Sequence, residues 1–146
     1  MPKTKTDKDD KPSPEALLAR VGLRPTRQRL LLARILFDGL PKHITAEQLR
    51  RAVVKRRGRV SLATIYNTLN QFTKAGLLRA ISVDQGCTYF DTTLQPHHHF
   101  FDEISGRLWD IPDGTFQIRT LPKVPEDRQI SHIEITVHLG EKEKAA

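Results

Sequence analysis

A chain of 146 residues, 38% of them hydrophobic, supports one domain or two small lobes near the size at which a lone core is marginal. It has no apolar run of membrane length, no signal-peptide pattern and one cysteine, Cys87, so a cytoplasmic protein is expected, with no membrane partner, disulfide framework or structural tetrathiolate zinc. The net charge of +7 is unevenly placed: residues 20–79 carry fourteen Lys/Arg against Asp38 and Glu47, whereas residues 80–146 carry six against eleven Asp/Glu, which assigns a polyanion partner to the basic half alone.

Residues 1–12 read as a disordered charged tail. Ser13-Pro14-Glu15 opens a first helix, with serine as cap and proline in the first turn, and Gly22 closes it. After the extended step at Arg24-Pro25, Thr26 caps a second helix running through Phe37. Thr45-Ala46-Glu47-Gln48 has the form of a capping box and opens a third helix, expected to reach Arg57 and to stop at Gly58. His43 falls in the loop before it.

A fourth helix over Ser61–Gly76 is the most informative. At 100° per residue Leu62, Ile65, Leu69, Phe72 and Thr73 share one face. Ala63, Thr64, Asn67, Asn70 and Gln71 share the other, and Tyr66 borders the two. A face of small residues and amides without a carboxylate suits a major groove, where amides pair with adenine and methyl groups touch thymine. Taken alone, the segment reads first as an amphipathic surface helix; its neighbours decide otherwise. Two β-type runs follow, Leu77–Val83 and Cys87–Phe90, about the turn Asp84-Gln85-Gly86. Helices followed by a two-stranded ribbon make a winged helix-turn-helix, with the last helix reading the groove.

Beyond Thr92 the texture changes. Strands are expected over His97–Glu103, Gly106–Ile111 and Ile130–Leu139, with loops at Pro112, Gly114, Pro122 and Pro125. The fold class is therefore α+β: a winged helix-turn-helix DNA-binding domain at 13–91, then a small α/β dimerisation domain at 92–146 with a three-stranded sheet. Its exposed edges favour pairing with a second copy.

Five of the six histidines lie in the acidic half. In a strand, His97 and His99 point one way and His98 the other. On one side His97 and His99 can combine with Asp91 and His43, in a site drawing on both lobes. On the other, His98 can combine with His132 and a carboxylate such as Asp102 or Glu103. Imidazole with carboxylate suits iron, manganese or zinc. The bland alternative is a solvated histidine patch. Cys87 reads as a packing residue.

Leu23–Arg29 (LRPTRQR), His43–Leu49 (HITAEQL), Ser61–Leu78 (SLATIYNTLNQFTKAGLL), Tyr89–Thr92 (YFDT) and the histidine cluster together resemble the ferric uptake regulator family. The likeness spans about Gly22 to Pro112. HHHFF followed by RLWDIP is most similar to its iron-response regulator (Irr) branch. The resemblance implies that Arg24 reaches the minor groove and that Tyr66 contacts thymine. Asn67 stands where the family usually has arginine. It also implies a metal site of His43, Asp91, His97 and His99, with aspartate in place of the usual glutamate, and a haem-binding region at His97, His98 and His99. His98 with His132 remains a second metal or haem position. The paired CxxC motifs of many relatives are absent.

The expected function is an iron- and haem-responsive DNA-binding transcription regulator, acting as a homodimer on an AT-rich inverted repeat of double-stranded DNA. A family sensor of zinc, manganese or peroxide is the alternative. An enzyme is not expected: there is no HExxH and no general base at motif spacing. A sequence-indifferent nucleoid protein would bind with steep salt dependence and no base preference.

Overall fold

The computed structural model describes residues 11–84 and 86–144. The expected tail therefore falls outside the described residues up to position 10, as does Gln85 of the expected hairpin turn. The described residues divide into two compact units, one of 11–82 with 86–94 and the other of 83–84 with 95–144. Among the described residues no helix is long and apolar enough to cross a membrane.

The first unit holds four helices: α1 (Pro14–Arg20), α2 (Arg27–Leu36), α3 (Ala46–Lys55) and α4 (Leu62–Lys74). Each begins on a hydroxyl that accepts a backbone N–H of the first turn. Ser13 takes Ala16, Thr26 takes Arg29, Thr45 takes Gln48 and Ser61 takes Thr64, at 3.1 to 3.3 Å. Gln48 returns the bond to the Thr45 N–H at 3.0 Å, completing the capping box. Each cap contributes about 1 kcal/mol by satisfying a donor the helix cannot. Leu18, Leu32, Leu36, Leu49, Ile65, Leu69 and Phe72 are wholly buried and form one core with Leu78 and Phe90.

Three helices end in the same way, with a left-handed residue and a bond from the next N–H back to a carbonyl in the last turn. In α1 the residue is Gly22 (φ 70°), and Leu23 N–H reaches the Leu18 carbonyl at 2.9 Å. In α4 it is Gly76 (φ 81°), with Leu77 N–H on Phe72 at 2.9 Å. In α3 it is Arg57 (φ 57°), with Gly58 N–H on Val53 at 2.9 Å. So α3 stops at Lys55, before the expected Arg57, and Gly58 is not its left-handed terminator.

Space explains Gly58 instead. A Cβ there would stand 2.9 Å from both Leu31 Cδ2 and Val53 Cγ1 and 3.3 Å from the Val53 carbonyl. Val53 is β-branched and cannot swing away. Gly58→Ala is expected to destabilise the unit by about 1–3 kcal/mol, seen as a lowered thermal midpoint. An unchanged midpoint would refute the close packing.

The first sheet has the order β1-β3-β2, from β1 (His43–Ile44), β2 (Arg79–Asp84) and β3 (Cys87–Asp91). β1 was expected to be loop. It is two residues long, too short to show any periodicity, and pairs antiparallel with β3 in the register His43↔Asp91 and Ile44↔Phe90.

The second unit has a sheet of order β5-β4-β6, from β4 (His99–Asp102), β5 (Leu108–Asp110) and β6 (Thr136–Leu139). β4 and β5 are antiparallel, with Phe101↔Leu108 and His99↔Asp110. Their turn is built by Asp102, which accepts the Ile104 N–H and the Ser105 hydroxyl, and by Gly106 at φ 69°. Those two bonds, the hydroxyl's first, hold the Asp102 carboxyl below the usual carboxylate range. β6 runs parallel to β4, His99↔Thr136 through Asp102↔Leu139. The third strand was expected from Ile130, but only its last four residues pair. β4 offers an edge of four residues, so pairing cannot extend further, and Ile130 and Ile133 stay exposed.

Candidate nucleic-acid interface and metal half-sites

α4 buries Ile65, Thr68, Leu69 and Phe72 and turns the opposite face outward. Ala63, Asn67, Asn70 and Gln71 are exposed, and Tyr66 is 42% exposed. Thr64 is half-buried, its hydroxyl receiving the Ser61 hydroxyl at 2.9 Å. No carboxylate stands on this face, so nothing on the helix opposes a phosphate backbone.

One amide on that face is already engaged. Gln71 Oε1 accepts from Arg29 Nη2 at 2.9 Å and from Arg29 Nε at 3.3 Å. The same guanidinium donates through Nη1 to the Arg24 carbonyl at 2.9 Å. Arg29 therefore ties the exposed Arg24 stretch to the outward face of α4. Nothing in local periodicity singles out Arg29, because its role depends on a residue 42 positions away.

In the first unit His43 Nε2 lies 3.1 Å from Asp91 Oδ2, an arrangement set by the β1–β3 register. Asp91 is fully buried and its other oxygen accepts the Thr93 N–H at 2.8 Å. A carboxylate this far from water needs such partners.

In the second unit His97 and His99 face the same carboxylate. Their Nε2 atoms lie 2.8 and 3.3 Å from Asp110 Oδ1, and the rings stand 4.2 Å apart. His99 is 2% exposed, while the Asp110 side chain is 47% exposed. His97 Nδ1 is 2.8 Å from the Gln95 carbonyl. A carbonyl only accepts, so Nδ1 carries a proton there, and Nε2 is the nitrogen left to bind. Metal-bound imidazoles are oriented by just such an outer bond. Two imidazoles and one carboxylate, with ligand atoms within 4.8 Å of one another, can hold a divalent cation.

Asp110 was not foreseen, because the expected turn position gives a different register. Counting outward from a turn at Ser105-Gly106 sets Pro112 opposite His99; the turn in fact spans residues 103–106, and that register is what brings Asp110 there.

The second expected set does not assemble. His98 does point away from His97 and His99, but its Nδ1 accepts the Ile135 N–H at 2.9 Å and its ring meets Phe116 edge-on. His132 is exposed and bonds the neighbouring Ser131 hydroxyl. Asp102 serves its turn, and Glu103 pairs with His138 at 3.1 Å. His98 is thus a strand-docking residue here, since it fixes the backbone leading into β6.

Residues 20–139 match the Ferric uptake regulator family. The chain is 31% identical over 103 residues to the ferric uptake regulation protein of Shigella flexneri, covering 70% of each. Its fold is similar to the crystal structure of the Vibrio cholerae ferric uptake regulator, with a TM-score of 0.70 at 24% identity over 85% of this chain and 96% of that one. A zinc-bound manganese uptake regulator gives a TM-score of 0.61 at 25% identity, over 88% and 99%.

Proposed function

This chain belongs to the ferric uptake regulator family of metal-responsive, DNA-binding transcription regulators, and from that premise we propose an iron- and haem-responsive regulator of iron and haem metabolism genes, of the iron-response regulator kind. The observation that carries the sensing half of this reading is the pair His97 and His99 on one carboxylate, with His97 pre-oriented by the Gln95 carbonyl. His43, Asp91, His97 and His99 are the proposed ligands, and Asp110 joins them. The donor set suits Fe(II) or Mn(II), and zinc as the alternative. When bound, the cation supplies a cross-link among these side chains.

The reading half rests on the exposed face of α4. Tyr66 and Asn67 are the proposed base contacts, Thr64 offers a methyl group, and Arg24 is proposed to enter the minor groove. A homodimer would present two such helices to an AT-rich inverted repeat, with half-sites one turn apart, roughly 34 Å. Ligands drawn from both halves let metal occupancy bias that spacing. A preference of about 3 kcal/mol for one geometry shifts the balance on the order of 150-fold. Haem at His97–His99 would draw on the same imidazoles and so oppose the metal. The proposed partner is double-stranded DNA and the proposed location the cytoplasm.

The test is binding to an AT-rich inverted repeat and to a random duplex, with protein that is metal-free, Mn(II)-loaded and haem-loaded. Wild type should discriminate the duplexes, and Mn(II) and haem should change its affinity in opposite senses. Tyr66→Phe should reduce discrimination on the order of tenfold while leaving the thermal midpoint unchanged. Equal affinity for both duplexes would sink the sequence-reading role. An unaltered haem spectrum on mixing would remove haem and leave a sensor of zinc, manganese or peroxide.

A further inference from the structure

Five arginines, Arg27, Arg34, Arg56, Arg57 and Arg59, line one cavity of about 610 Å³ together with Gln28. It lies where the start of α2 meets the turn between α3 and α4. Arg34 is paired with Glu15 at 3.4 Å. The field of Arg56 reaches Asp38, but that carboxylate's hydrogen-bond partner is Lys42. Among the described residues, Arg27, Arg56, Arg57 and Arg59 have no carboxylate partner. Four guanidiniums gathered in a recess with no carboxylate bonded to them focus a positive field there. Their planar donor forks match phosphate oxygens two at a time.

Arg57 adds an independent sign. The same helix-ending motif uses glycine at its left-handed position in α1 and α4. At the end of α3 that position holds arginine, against the backbone preference, and its side chain lines the cavity. The turn runs from Arg59 through Val60 to Ser61, the cap of α4, so the recess directly precedes the reading helix.

We propose that this recess is a phosphate site that grips a backbone phosphate of the duplex beside α4. The proposal rests on α4 being the groove helix. It would anchor register without reading sequence, since phosphate contacts position and base contacts specify.

Arg57→Gly tests it without threatening the fold, because glycine suits the left-handed conformation better. The variant should melt at or above the wild-type temperature. Its log–log dependence of DNA affinity on salt should be shallower by about 0.9. A fourfold rise in salt would then weaken the variant's binding about 3.5-fold less than the wild type's. Preference for the inverted repeat over random duplex should be unchanged. Adding Arg59→Gln should lower the slope by about as much again. An unchanged slope would overturn the proposal. So would a slope unchanged while inorganic tripolyphosphate raises the melting point of wild type but not of Arg57→Gly, which would assign the recess to free oligophosphates. If α4 were not the groove helix, wild type itself would fail to discriminate duplexes, an outcome separate from either.

Discussion

Replacing His99 with alanine is expected to weaken Mn(II) and Zn(II) binding by about 100-fold or more, read by calorimetric titration of metal-free protein. His99 is buried at the centre of its sheet and shares the Asp110 oxygen with His97, so no neighbouring side chain can take its place. His99→Gln keeps the bulk and should lose affinity in the same way, which separates lost ligation from a weakened strand. Asp110→Asn removes the charge but keeps the shape, and about tenfold is expected. His43→Ala decides how the two half-sites work. A loss comparable to that of His99→Ala means one cation shared between them, whereas an unchanged isotherm confines it to the second unit. Binding that survives every one of these changes would overturn the ligand assignment.

Phe72→Ala should be the most damaging single change to the DNA-reading half. Phe72 is wholly buried, with its ring 6.1 Å from that of Phe37, and its carbonyl takes the N–H of Leu77 at the end of α4. The void left by a buried phenyl corresponds to about 3–5 kcal/mol, a large part of the 5–15 kcal/mol typical of a whole domain. A fall in thermal midpoint of about 15 °C or more is expected. The helical signal in circular dichroism is the proper probe, because all helices among the described residues belong to the first unit. A shift of only a few degrees would mean that the core repacks around the gap.

The helical half could be read from the sequence because its instructions are local. Ser13, Thr26, Thr45 and Ser61 each announce a helix within four residues, and Gly22 and Gly76 each close one. The α4 pattern marked Ile65, Leu69 and Phe72 correctly, but placed Thr73 inside where the fold buries Thr68. What escaped were features set by distant partners. β1 exists only because β3 lies beside it, and Gln71 looked free until Arg29 claimed it. The end of α3 misled because glycine usually fills the left-handed position, and here arginine fills it while glycine relieves a clash. For the proposed metal ligands, alternation along the expected strand separated His98 from His97 and His99, although β4 begins only at His99, not at the expected His97. It could not show that His98 would be used to dock the chain before β6.

The pairing of β6 with β4 bears on how the molecule comes into being. Each helix packs against the next in the chain, while His98 meets Ile135 across 37 residues and His43 meets Asp91 across a longer stretch. Closing such spans costs chain entropy, so in a refolding experiment the helical circular-dichroism signal is expected to return before the protection of the Ile135 amide bonded to His98.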